Sequence, residues 1–358
     1  IKNRDHLKSE NQLQSLVSRE SSFLFNNLVL LVSCFAVLWG TLFPVLSEWV
    51  QGHKVTVGPP FFNNVNIPIF LFLIFLTAVG PILAWRSTSW GSIQRNLLWP
   101  TVAFAFSIIA MLAGGMRPLS DTSRAYSFMA ISLSIFAFVA ITGEFWRGTR
   151  VVATQTGRNY LSALVLLTRR NTRRYGGYLV HYGVLICCVG FSGATFDQSI
   201  EQDMGFRDEL NIGRYKLVCQ KYTQDDNPNY FTESAILDVY ENGKLINTVY
   251  PERRSYKASG GQPSTMVANL STMREDLYIV YTGRNPENDK PIIKAHVKPL
   301  VKWIWVGAHI LVLGTLIALV PPIKPGKAAV VALPQRDSSN EEDKKETPDE
   351  IAAREAMA

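Results

Sequence analysis

The sequence predicts an α-helical polytopic membrane protein, with about six transmembrane helices and an inserted β-rich extracytoplasmic domain. Three observations carry this. Several windows reach or approach the roughly 20 apolar residues that a lipid-spanning helix requires. The stretches between them are strongly charged, so mean hydropathy is only +0.07 although 47% of the residues are hydrophobic. Residues 197–298 form one long polar stretch in which apolar and polar side chains alternate, the period of strands.

Taken in order, residues 1–22 are polar and mixed in charge. They lack the basic start and apolar centre of a secretion signal, and the chain opens on isoleucine, as expected of a piece with further sequence upstream. Spans are read at about 23–43, 67–85, 98–115, 125–143, 176–196 and 300–321, the third being the shortest or most polar at its ends. Basic residues set the orientation. Arg86 and Arg95 lie in the first inner loop, and Arg147, Arg150, Arg158, Arg169, Arg170, Arg173 and Arg174 in the second, whereas the outer loop 116–124 holds only Arg117 and Arg124. Arginine and lysine gather on the cytoplasmic side, so both termini are expected there.

The organisation that follows is a cytoplasmic N-terminal segment (1–22), a five-helix membrane domain (23–196), the β-rich outer domain (197–298), a last transmembrane helix (299–321) and a disordered cytoplasmic tail (322–358) too poor in large apolar groups to fold alone. Strands are expected at RYKLVCQKY, AILDVYE, KLINTVY, LYIVYTG and PIIKAHVK, with ENGK as a hairpin turn because Asn-Gly tolerates positive φ. The net charge of +7 resides in the inner loops, so nucleic-acid binding is not expected. Cys34, Cys187 and Cys188 fall in apolar windows and Cys219 stands alone in the polar domain; without a CxxCH the chain carries no covalent c-type haem of its own.

Of the five histidines, His6, His53 and His296 read as surface residues. His181 and His309 lie in apolar windows, where an ionisable group is costly and leans functional. His181 sits about 8 Å below the cytoplasmic helix end at 1.5 Å per residue. Gly177, one turn earlier, leaves room for a flat macrocycle against the helix. Gly183, Cys187, Gly190 and Ala194 form a stripe of small residues that lets another helix backbone approach. Two roles for His181 stand level at this point: an axial haem ligand, or a neutral imidazole bonded to a neighbouring helix. Arg173 and Arg174 could pair with haem propionates or serve only as inside-positive anchors. His309 is expected to be ~9 Å away in depth, too far to share one iron, and is read as hydrogen-bonded packing. HKVTVGPPFFNNVNIP, in the first outer loop, reads as a stiff interfacial turn or part of a ligand platform.

Several stretches taken together are similar to a known family: SENQLQSLVSRESSFLFNNL, WGTLFPVLSE, VTVGPPFFNNVNIP, TRRNTRRYGGYLVHYGV and PLVKWIWVGA, in that order across residues 7 to 320. They resemble the C-terminal half of CcmF, the membrane haem lyase of bacterial cytochrome c maturation. The resemblance implies that His181, at the YLVH position, is an axial ligand to haem b, which relays electrons that keep the incoming haem reduced. It implies attachment of haem to the thiols of apocytochrome c at the periplasmic face of the bacterial inner membrane. It also implies partners: the haem chaperone and the subunits that handle apocytochrome thiols. The family's tryptophan-rich WWD segment has no counterpart here, nor do its second axial histidine and outer histidine pair; His53 and His296 are not at matching positions. A missing N-terminal half of the lyase is therefore expected to supply them, and no catalytic acid or base is assigned. The competing readings are a haem-free structural or docking subunit and a multi-pass transporter, the latter disfavoured by the lack of acidic residues within the spans.

Overall fold

The computed structural model describes residues 18–83, 90–260 and 262–323. Expectations placed on residues 1–17 (His6 among them), on Arg86 and on the tail from 324 onward lie outside the described residues. Within them the chain forms seven α-helices and ten strands: α1 (Arg19–Gln51), α2 (Pro59–Val79), α3 (Trp90–Ala113), α4 (Thr122–Thr156), α5 (Tyr160–Arg170), α6 (Thr172–Ser192), then the strands, then α7 (Val301–Leu319). All but α5 are long and apolar enough to cross a membrane. The chain is a multi-pass membrane protein.

α1 and α4 overrun at both ends the apolar windows that predict them, because a helix does not stop where the hydrocarbon stops. α4 has 35 residues, about 52 Å at 1.5 Å per residue, against a hydrocarbon thickness of about 30 Å. α1 starts where the Ser18 hydroxyl accepts a hydrogen bond from the Ser21 backbone N–H (3.1 Å) and stops at Gly52, whose φ of 73° ends the helix in a left-handed turn. The GPP stretch is not a turn between elements. Pro59 and Pro60 are the first two residues of α2, a position where proline's missing N–H costs nothing and its φ already suits the helix. The phenyl rings of Phe61 and Phe62 then press on α1 at Gly40, where an added Cβ would come within 2.8 Å of both.

α6 and α7 meet backbone to backbone. A Cβ on Gly183 would lie 2.6 Å from both the Gly307 carbonyl oxygen and the Leu311 nitrogen. A Cβ on Gly176 would lie 2.6 Å from the Ala318 nitrogen, and one on Gly314 would lie 2.6 Å from the Val180 nitrogen. Gly176, Gly183 and Gly190 on one helix and Gly307 and Gly314 on the other repeat every seven residues, so one seam runs the length of the pair. The small-residue stripe of the sequence is this contact, and α7 is the helix that uses it. The Cys187 thiol adds a hydrogen bond to the Ile304 carbonyl (3.4 Å).

Between these helices the chain builds a β-sandwich. One antiparallel sheet has the order β1 (Gln198–Asp203), β10 (Pro291–Pro299), β9 (Glu275–Arg284), β8 (Ala268–Ser271). The other runs β2 (Glu209–Ile212), β3 (Tyr215–Asp226), β4 (Tyr230–Glu241), β6 (Glu252–Tyr256), β7 (Pro263–Met266), with β5 (Lys244–Val249) also on β4. Leu217, Leu237 and Val239 of one sheet and Leu277, Ile279 and Ile293 of the other are fully buried in a common core. The ENGK turn is as expected, with positive φ at Asn242 (51°) and Gly243 (79°). The short strands β1, β2, β6, β7 and β8 carry no apolar alternation strong enough to announce them.

A single residue joins the sandwich to α7. Leu300 takes a left-handed φ of 62°, which costs a non-glycine residue about 1–2 kcal/mol. Two bonds hold this joint: the Leu300 N–H to the Arg274 carbonyl (3.0 Å) and the Trp303 indole N–H to the Met273 carbonyl (3.0 Å). The seam makes a stability prediction. Gly183→Ala and Gly314→Ala should each destabilise the folded chain by about 1–3 kcal/mol through overpacking, read as a lower midpoint in SDS titration of the purified protein. Gly91→Ala, at a site with nothing within 4 Å, should cause no such loss.

Candidate functional site

His181 projects from the side of α6 opposite the seam. It lines a cavity of about 170 Å³ with Tyr178 of its own helix, Ser22, Phe23 and Asn26 of α1, and Leu76, Thr77, Gly80 and Pro81 at the end of α2. Its Nδ1 is buried and has no hydrogen-bond partner among the described residues. Gly177 lies four residues earlier on the same helix. Gly177 itself faces open space, with nothing within 4 Å of an added Cβ, unlike Gly176 and Gly183. Arg173, Gly177 and His181 recur every four residues and so share one stripe of α6.

The two arginines of this region differ in what they do. Arg174 is tied down: one guanidinium nitrogen lies 2.7 Å from Glu144 of α4 and another donates to the Tyr178 hydroxyl (3.1 Å). Glu144 also pairs with Arg147, which reaches Asn96 of α3 at 2.9 Å. This carboxylate thus joins α3, α4 and α6 at one level. Arg173 is exposed and forms no ion pair among the described residues. Behind the site, the ring of Phe145 packs on Tyr175, Tyr178 and Tyr182 with centroids 5.1–6.0 Å apart. The Tyr182 hydroxyl bonds Thr142 (2.7 Å). Sequence reasoning missed Glu144 as an organising residue, although it is the last acidic side chain before Asp197 in a run of arginines.

His309 is not packed against a neighbouring helix. It is exposed on the outer side of α7, and its Nδ1 donates to the Trp305 carbonyl (2.6 Å). Its depth also differs from the expectation. Gly183 faces the interval between Gly307 and Leu311, so His309 lies about two residues, ~3 Å, from the level of His181. α6 begins four residues before its apolar window, which accounts for much of the discrepancy. The two imidazoles are level but look out on different sides, so they do not converge. His53 bonds the carbonyl of Gln51, the last residue of α1 (3.2 Å). His296 lies on β10 beside Tyr278 (6.1 Å between ring centroids). Among the described residues no group of three or more His, Cys, Asp or Glu could hold a metal ion. A larger, mostly apolar cavity of about 390 Å³ lies nearer the sandwich, between α1, α2, α4 and α6, lined by Phe62, Asn66, Tyr126 and Phe191.

Residues 195–299 match the model of the CcmF C-terminal β-sandwich. The cytochrome c-type biogenesis protein CcmF of Pseudomonas aeruginosa is 30% identical over 308 residues, covering 85% of this chain and 44% of that protein. CcmF of Escherichia coli is 27% identical, covering 89% and 47%. The chain resembles the C-terminal half of CcmF. A solved structure described as cytochrome c haem lyase CcmF has the same fold at a TM-score of 0.67, with 22% identity over 86% of this chain and 46% of that one. The chain thus spans less than half the length of these CcmF proteins. The similarity includes both the membrane helices and the sandwich, so the CcmF-like region is one continuous piece rather than a shared β domain alone.

The sandwich histidine makes a pH prediction. Burial, with Lys298 and Lys294 nearby, holds the His296 imidazole below its ordinary value, against the pull of Asp197 and Glu201. A base whose folded pKa lies below its unfolded value binds more protons when unfolded. Its contribution to stability is therefore full above the unfolded pKa of about 6.5 and is lost as pH falls toward the folded value. His296→Gln should flatten this part of the stability–pH curve of the purified chain, measured as the unfolding midpoint of the sandwich.

Proposed function

We propose that this chain works in cytochrome c maturation as part of a haem lyase. In that reading it binds b-type haem within the inner membrane through His181 and supports transfer of haem to apocytochrome c at the periplasmic face, where the sandwich lies. The observation that carries it is the unbroken similarity of 85% of the chain to CcmF proteins.

The residues present fit one half of an axial haem site. A ligating histidine commonly donates its second ring N–H to a backbone carbonyl or carboxylate, which fixes the tautomer. In this reading Nδ1 of His181, buried and without a hydrogen-bond partner among the described residues, would carry the proton, leaving the Nε2 lone pair for iron. The open space at Gly177 would receive the edge of a macrocycle, and Arg173, on the same stripe and unpaired, would meet a propionate. Arg174 is engaged by Glu144 and Tyr178, so its part is to hold Tyr178 against the site. The cavity of about 170 Å³ is below the ~300–1,000 Å³ usual for ligand pockets. This chain accordingly forms one wall. The second axial ligand and the tryptophan-rich haem-presenting segment are expected from the N-terminal half of the lyase, with the haem chaperone and thiol-handling subunits as further partners. When bound, haem b supplies a one-electron redox centre; the protein's contribution is to seat it, exclude water and hold the imidazole tautomer.

The test is the visible spectrum of the chain purified in mild detergent together with that N-terminal half, before and after dithionite. The wild-type assembly should show the sharp α band of a reduced b-type haem. His181→Ala should lose it, and Gly177→Leu should lose it while the assembly still elutes as a folded complex, since the added side chain meets only open space in this chain. A colourless wild-type assembly would defeat the haem reading and leave a structural or docking subunit in its place.

A further inference from the structure

α5 lies in what the sequence reads as a loop, at the end of the bundle away from the sandwich. Its first residue, Tyr160, stacks on Trp146 of α4, with ring centroids 5.4 Å apart and 11° between the planes. Leu167 reaches Gly148 of α4, where an added Cβ would be 2.9 Å from its Cδ2.

The two sides of α5 differ. Ala163 and Leu167 are buried. Leu161, Val165 and Arg169 form an opposite stripe at four-residue spacing, with Leu161 74% and Val165 53% exposed. Trp146 beside them is 61% exposed. Water is a poor environment for that apolar edge and hydrocarbon a poor one for Arg169; the boundary between them suits both. Charge narrows the occupant further. Arg150, Arg158 and Arg169 are exposed and form no ion pair among the described residues. No acidic residue occurs between Glu144 and Asp197, and Glu144 is already committed to Arg147 and Arg174. Among the described residues no carboxylate meets these arginines, and an interface that supplies negative charge and also accepts leucine, valine and tryptophan suits them.

We propose that α5 is a membrane-surface anchor selective for anionic phospholipid, with the Leu161–Val165 edge among the acyl chains and Arg150, Arg158 and Arg169 on headgroup phosphates. This is independent of haem. The test is hydrogen exchange of the α5 amides in the full chain, reconstituted in nanodiscs of phosphatidylcholine alone or mixed with phosphatidylglycerol. Exchange of residues 160–170 should slow by about tenfold or more in the anionic discs, while β9 and β10 exchange equally in both. Arg150→Gln/Arg158→Gln/Arg169→Gln should abolish the difference, and the corresponding triple lysine variant should keep most of it. Equal exchange of wild-type α5 in the two lipids, as expected if a protein partner covers it, would overturn the proposal, as would slowing that persists in the glutamine variant.

Discussion

The close approach of α6 and α7 is the constraint on which the remaining architecture depends. Without side chains between them, the two backbones meet along a seam that repeats every seven residues, from Gly176 near Ala318 to Gly190 beside Ile304. Lipid offers no hydrophobic drive for helices to associate, so packing and a few hydrogen bonds must supply it. The glycines make that packing possible. They also use up one whole side of α6, and this leaves His181 turned the other way, toward α1 and α2.

The same seam positions the sandwich. The chain leaves α6 through a short turn, builds ten strands and re-enters the membrane after one residue, Leu300. Its two connections are therefore the adjacent ends of a tightly packed antiparallel pair. The left-handed Leu300 and its bonds to the Arg274 and Met273 carbonyls stiffen the second of them. A domain held in this manner presents a fixed surface at the membrane. At the other end, Glu144 gathers Arg147 and Arg174 and through them α3, α4 and α6. One carboxylate thereby sets which arginines remain available for ligands and lipid.

Much of the candidate site was legible in one dimension. An imidazole in an apolar window with a glycine four residues earlier marked His181, and the helix turns them to one side as the spacing requires. The availability of Arg173 and the commitment of Arg174 were not legible: adjacent residues differ by about 100° around a helix, and the carboxylate that holds Arg174, Glu144, comes from another helix. The role of GPPFFN was misread for a local reason, since proline signals a turn and a helix start equally well. α5 was passed over because its apolar residues are too few for a span. Its period becomes visible only once the neighbouring helix is in place.

By itself the sequence determined the number of spans, the existence of a β domain between the last two, and the two histidines that lie in spans, because hydrophobic length, alternation and the cost of burying charge are local properties. Only the tertiary structure decided that His181 faces a cavity made by α1 and α2, and that His309 is level with it yet turned elsewhere. Both depend on which glycine of α6 meets which backbone of α7, and such contacts join residues more than a hundred positions apart.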